Sequence, residues 1–144
     1  MRGSVIEVRM KILGAEGPTT TTERLDLSAG AGIIGGENYE DGRQILLLDR
    51  STLEEFGYEP GMLREQILVD LPSLQRLVPG TMMKVGTSEL EVTSDCAPCR
   101  TMASYLEEEG TSFVNKMMGR RGMLAKVVQD GSVSPGDAVE VVEA

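Results

Sequence analysis

Two cysteines are the residues most able to carry chemistry in this chain. Cys96 and Cys99 stand three positions apart in the segment Cys-Ala-Pro-Cys, and the chain has no other cysteine. Thiols at this spacing can form a disulfide, share a metal ion or activate one another. A zinc site needs four ligands, and the chain has neither a histidine nor a second cysteine pair to complete one. The pair therefore predicts reactive thiols, with a buried and inert cysteine pair as the alternative.

Four arginines form a second group of candidate site residues. Arg43 and Arg64 each stand at the start of a predicted strand, and the adjacent pair Arg120 and Arg121 lies between two glycines ahead of a later strand. A guanidinium group binds phosphate or carboxylate in bidentate geometry, so several of them at one rim would select an anionic ligand. The alternative for each arginine by itself is solubilising surface charge.

The elements around the thiols predict where they lie. A strand is predicted over residues 89–92, before the pair, and a helix over residues 101–109, after it. This order places Cys99 near a helix N-terminus, where the helix dipole and the positive charge of Arg100 favour a thiolate.

Short apolar or alternating runs indicate a mainly β fold. Eight such runs predict strands, at residues 5–13, 24–27, 44–48, 65–69, 82–85, 89–92, 123–128 and 138–142. The stretch between the first two, residues 14–22 (GAEGPTTTT), predicts an exposed loop. Short helices are predicted at residues 51–56, where Ser51 and Glu54 form a capping-box pattern, and at 101–109 and 112–118. Because these helices are too short to alternate with strands as crossovers, we expect a β-barrel or sandwich of about seven strands with peripheral helices. A chain of 144 residues is expected to build one domain, residues 1–144.

Charge and hydropathy exclude two classes of partner. The chain carries 14 Lys and Arg against 23 Asp and Glu, a net charge of −9, so its average field repels nucleic acid. No apolar run reaches the roughly 18 residues that span a bilayer, and the N-terminus mixes charged with apolar residues where a signal peptide needs an apolar stretch. We therefore expect a cytoplasmic protein without a nucleic-acid or membrane partner.

Six segments, taken in order, resemble the MOSC family, the C-terminal domain of molybdenum cofactor sulfurase. They are residues 32–35 (GIIG), 42–49 (GRQILLLD), 64–69 (REQILV), 74–80 with Val85-Gly86, the strand leading into Ala97-Pro98-Cys99, and 119–139. Their order and spacing carry the resemblance, which covers most of the chain after residue 30. Two positions depart from the family pattern, since Gly36 stands where Asp is common and Gln66 where Asn is common.

The resemblance implies a β-barrel and an association with molybdenum cofactor chemistry. In family members that bind the cofactor, the cysteine matching Cys99 can ligate molybdenum, and an arginine in the segment matching Arg64 helps to hold the anionic cofactor. We therefore expect a domain that binds this cofactor or carries sulfur as a Cys99 persulfide for delivery to a metal centre, with Cys96 as the resolving or modulating thiol. The expected cofactor-binding residues are Arg43, Arg64, Arg120 and Arg121.

The same resemblance suggests partners. Full-length sulfurases carry a pyridoxal-phosphate desulfurase domain before this module, which a chain of 144 residues is too short to include. Pyridoxal phosphate would then enter only through a separate cysteine desulfurase, and a molybdoenzyme is the other expected partner. Any catalysis would be sulfur transfer or a molybdenum-dependent reaction.

Two functions of other classes stay open. One is a small thiol-disulfide oxidoreductase that uses Cys96 and Cys99 as a redox pair. The other is a non-catalytic interaction domain in which both thiols are dispensable.

Overall fold

The computed structural model describes residues 1–11, 17–36 and 43–142, and the fold over these ranges is mainly β. The strands are β1 (Arg2–Met10), β2 (Thr20–Thr22), β3 (Leu25–Ser28), β4 (Gly32–Ile33), β5 (Ile45–Asp49), β6 (Ile67–Asp70), β7 (Met82–Val85), β8 (Ser88–Asp95), β9 (Met123–Gln129), β10 (Gly131–Val133) and β11 (Ala138–Val142). The helices are α1 (Arg50–Phe56), α2 (Arg100–Tyr105) and α3 (Gly110–Met117), and Leu74–Arg76 form a 3-10 turn.

Seven strands close into a barrel. Their order is β11, β7, β8, β9, β5, β6 and β1, and β1 closes the ring by pairing antiparallel with β11 from Arg2↔Glu140 to Ser4↔Ala138. Neighbours in the ring are antiparallel except β5 and β6, which are parallel and are separated in the chain by α1. Strands β3, β4 and β10 form a second, three-stranded sheet. The predicted mainly β barrel of about seven strands with short helices is thus confirmed.

Strand β5 is buried on both faces, with the barrel core on one side and Cys96 and the helices on the other. Ile45 and Leu47 point into the aliphatic barrel core, as the period of two in a strand requires. Leu48 faces outward into a second cluster beneath the helices, and Leu46 packs with Cys96 and Leu124. The apolar sequence of this strand follows from burial on both faces.

The three helices cover one side of the barrel, and their ends differ in part from the predicted ones. Helix α1 begins at Arg50, because the Asp49 carboxylate caps it by accepting from the Ser51 amide at 3.1 Å, so the predicted capping box at Ser51 and Glu54 is wrong. Helix α2 ends at Tyr105, four residues before the predicted end. No described helix is long and apolar enough to span a bilayer.

Residues 14–22 favour an exposed loop by composition, and for the threonine tract in this stretch the prediction of a loop is wrong. Thr20–Thr22 pair with β1 as β2, and Thr19 is buried, with its hydroxyl donating to the Glu65 carbonyl at 2.7 Å. Residues 14–16 of the predicted loop lie outside the described ranges. The tract is ordered because β1 offers it a free edge to pair with.

Candidate functional site

A cavity of about 420 Å³ opens between the barrel and the start of α2. Five of the six predicted site residues line it, namely Cys96, Cys99, Arg43, Arg64 and Arg121. The other lining residues are Lys11, Leu46, Gln66, Thr101, Met102, Tyr105 and Leu124. The structure therefore brings together side chains from five separate stretches of the sequence.

All charged side chains among these lining residues are positive. They are Lys11, Arg43, Arg64 and Arg121. Among the described residues, no carboxylate lies within ion-pair distance of the three arginines. In a protein with a net charge of −9, this cavity is a local region of positive potential and is suited to an anionic ligand.

Arg121 is the most buried of these cations, with only 8% of its surface exposed. Its Nη1 donates to Cys96 Sγ at 2.8 Å, and its Nη2 donates to the Leu63 carbonyl and to Met102 Sδ, both at 3.1 Å. Thiol and thioether sulfurs are weak acceptors, and the Nε of Arg121 has no partner among the described residues. A buried cation with such poor compensation is destabilising unless an anion joins it.

Arg64 reaches the cavity from a strained backbone position. Its φ is +64°, in the left-handed region, where a residue with a Cβ costs about 1–3 kcal/mol. The turn is held by the Arg64 amide, which donates to the Gly61 carbonyl at 2.9 Å. The guanidinium lies 5.8 Å from the centre of the Tyr105 ring and donates to the Gly17 carbonyl. These contacts fix the direction in which the side chain enters the cavity.

Glu65 supports the same turn and is a residue that sequence reasoning missed. It is fully buried, and its Oε2 accepts from the Gly61 amide at 2.6 Å, while its Oε1 has no partner among the described residues. Burial raises the pKa of this carboxyl group. The available signal was the polar pair Glu65-Gln66 at the entrance to an apolar strand.

The two thiols occupy different environments. Cys99 is exposed and is the N-cap of α2, with its Sγ accepting from the Met102 amide at 3.4 Å, which confirms the predicted place of this cysteine at a helix start. Cys96 is 3% exposed, and burial raises the pKa of its thiol against the opposing effect of Arg121. Both cysteines are free. Arg100, the residue after Cys99, donates to the Thr111 hydroxyl at 2.8 Å.

Arg120 is not brought to the cavity. Its two terminal nitrogens donate to the Glu55 carboxylate at 2.8 and 3.0 Å, and its guanidinium lies 5.2 Å from the centre of the Phe56 ring. The hydrogen bond from Arg120 lowers the pKa of Glu55. Of the two adjacent arginines, one therefore turns toward helix α1 and one toward the thiols.

Gln66 forms part of the cavity wall. Its Oε1 accepts from the Leu46 amide at 2.8 Å and so ties the start of β6 to β5. Across the described part of the chain, no three Cys, Asp or Glu side chains lie close enough to hold a metal ion by themselves. A metal at this site would therefore have to arrive with ligands of its own.

Comparisons with known proteins agree with this architecture. The sequence profile of the family described as "MOSC domain" matches residues 35–140. The fold is similar to that of the YuaD protein from Bacillus subtilis, with a TM-score of 0.80 and 21% identity over 98% of this chain and 96% of that chain. It is also similar to YiiM from Escherichia coli, with a TM-score of 0.75 and 19% identity over 100% of this chain and 71% of that chain. No curated protein sequence is significantly similar to this chain.

Proposed function

This chain belongs to the MOSC domain family, and from that premise we propose that its cavity binds the molybdenum cofactor, with Cys99 as the thiol that faces the metal. The observation that carries the proposal is the meeting of an exposed thiol with three arginines and a lysine in one cavity. The cofactor is a phosphorylated pterin that holds molybdenum, so it presents both an anionic group and a metal to such a site.

The residues present fit this group. Arg121 is a buried cation that lines the cavity and has no carboxylate partner in the described part of the chain, so an anionic ligand would supply the missing negative charge. The guanidinium groups of Arg43 and Arg64 are suited to the phosphate, since they can bind it in bidentate geometry. The Cys99 thiolate is a soft donor of the kind that binds transition metals. When bound, the cofactor supplies a redox-active metal that a thiolate can ligate.

The protein's own contribution is to bind and orient the ligand. Gln66 and Leu46 hold one wall of the cavity through the hydrogen bond between β5 and β6. The ring of Tyr105 lies 5.8 Å from the guanidinium of Arg64, and this contact limits the freedom of the Arg64 side chain before binding. Arg121 is held by Leu63, Cys96 and Met102, so little conformational entropy is lost when an anion binds it.

A role of Cys99 as a sulfur carrier is favoured by a second observation, the difference in exposure between the two sulfurs. The Cys99 thiolate attacks the terminal sulfur of a donor persulfide. The S–S bond of the donor breaks, the donor leaves as a thiolate, and Cys99 keeps the sulfur as a persulfide. A cysteine desulfurase is the proposed donor and a molybdoenzyme the proposed acceptor.

Two measurements test these proposals. The wild-type protein, purified from cells that make the cofactor, should carry molybdenum and release a fluorescent pterin, and Arg64→Ala should lose most of both while Arg120→Ala keeps them. Absence of pterin and molybdenum from the wild type, also after incubation with isolated cofactor, would contradict cofactor binding.

The second measurement tests sulfur transfer. Incubation with a cysteine desulfurase and cysteine should add one sulfur atom to Cys99, detected by mass spectrometry. Reduction of insulin disulfides without sulfur transfer would instead support the redox pair.

A further inference from the structure

The cavity combines features that suit a small sulfur donor with a negative charge of its own. Resting on the proposed sulfur-carrier role of Cys99, we infer that Cys99 also takes sulfur directly, without a desulfurase, from a small inorganic sulfane-sulfur anion, with thiosulfate as the representative. The inference depends on the charges of the cavity and on the position of the exposed thiol within it. It concerns how the sulfur arrives and is independent of whether the cofactor binds.

The first argument is charge. Arg43, Arg64 and Arg121 line the cavity without a carboxylate within ion-pair distance in the described ranges. A donor presented on a protein cysteine brings one reacting sulfur with no need for three guanidinium groups around it. A sulfonate group carries three oxygens with delocalised negative charge, which is the type of group that guanidinium forks bind.

The second argument is the buried cation. Arg121 lines the cavity, is more than nine-tenths buried and has no carboxylate partner among the described residues. A buried charge without a counter-charge is unfavourable, and a sulfonate in the cavity would supply the missing negative charge. The cavity volume of about 420 Å³ exceeds what such a small anion needs, so sulfonate and attacking thiol fit together.

The chemical step needs no further reactant. The Cys99 thiolate attacks the outer sulfur of thiosulfate, the S–S bond of thiosulfate breaks, and sulfite leaves with the bonding electron pair. Cys99 then carries the sulfur as a persulfide, and the guanidinium groups stabilise the charge that gathers on the departing sulfite. Cys96 stays out of the step because it is buried and holds Arg121.

The experiment incubates the reduced wild-type protein with thiosulfate. We expect release of sulfite and one added sulfur atom on Cys99, and formation of thiocyanate when cyanide is supplied as acceptor. Cys99→Ser should show none of these. In Arg64→Ala, the thiosulfate concentration for half-maximal loading should rise about tenfold, as for the loss of one charge-assisted hydrogen bond, and in Arg120→Ala it should not change.

A neutral reagent of the same sulfur chemistry provides the matched control. Methyl methanethiosulfonate should modify Cys99 at the same rate in the wild type and in Arg64→Ala, because its reaction does not use charge recognition. Slower modification in the variant would assign the defect to access or folding and would overturn the proposed role of the guanidinium group. Loading of Cys99 by a desulfurase but not by thiosulfate would overturn the inference and leave the sulfur-carrier role standing. If neither the desulfurase nor thiosulfate loads Cys99, both the sulfur-carrier role and the inference about thiosulfate would be overturned.

Discussion

Arg121 donates a hydrogen bond to the thiol of Cys96 at 2.8 Å, which joins a buried cation to a buried sulfur at the inner end of the cavity. Neither group is in an ordinary environment for its type. The cation has no carboxylate partner in the described ranges, and the sulfur is withdrawn from solvent. The two cysteines of one short motif therefore lie in different environments.

The first prediction concerns this pair. Burial raises the pKa of the Cys96 thiol and the charge of Arg121 opposes that rise, so Arg121→Met should raise the pKa further. In a Cys99→Ser background, the alkylation of Cys96 followed against pH should move to higher pH in Arg121→Met. The matched variant Arg120→Met, which removes an arginine paired with Glu55, should leave the profile unchanged. Identical profiles for both variants would contradict the electrostatic coupling.

The second prediction separates the strained backbone of Arg64 from the role of its side chain. Because φ is +64°, Arg64→Gly should be more stable than Arg64→Ala, by about 1 kcal/mol in the free energy of unfolding. Both variants lack the guanidinium group and should bind anions equally weakly. Denaturant unfolding and phosphate binding measure the two effects. Equal stability of the two variants would show that this position carries no strain.

The third prediction is a pH dependence of stability. The pKa of Glu65 in the folded protein is raised above its ordinary value of 4.5 by burial, so the folded state favours the protonated form. The contribution of this group to stability is therefore fully present below pH 4.5 and falls as the pH rises through the raised pKa. Glu65→Gln keeps an acceptor for the Gly61 amide and has no such titration.

The measurement for Glu65 is the melting temperature of both proteins across a range of pH. Above pH 4.5, the difference between them should move in favour of Glu65→Gln as the pH rises. Glu59→Gln, at an exposed position in the same turn region, serves as control and should follow the wild type. Parallel curves for the wild type and Glu65→Gln would contradict a raised pKa.

The fourth prediction concerns the order in which the thiols react. Cys99 is exposed and Cys96 is 3% exposed, so iodoacetamide should label Cys99 at least about tenfold faster in the folded protein. Peptide mass spectrometry assigns the label, and in urea the two rates should become similar. Equal rates in the folded protein would mean that Cys96 is accessible, and the assignment of Cys99 as the reacting thiol would then fail.

Local patterns were sufficient for the elements that carry the thiols. Alternation and apolar runs predicted strands over most of the barrel, because side chains in a half-buried strand must alternate between core and solvent. The predicted strand before Cys99 and the predicted helix after it put this cysteine at a helix start, and in the structure Cys99 is the N-cap of α2. Predictions of this kind succeed because they depend on neighbours within a few residues.

The amino-acid sequence by itself determined a mainly β chain with a cysteine at a strand-to-helix junction and an excess of negative charge. Only the tertiary structure decided that Arg43, Arg64 and Arg121 converge on that thiol, that Arg120 pairs with Glu55 and that Glu65 is buried. The arginines converge because barrel closure pairs strands that are distant in sequence. The direction of a side chain in a turn depends instead on backbone angles, such as the positive φ of Arg64. Neither is encoded in the spacing of residues along the chain.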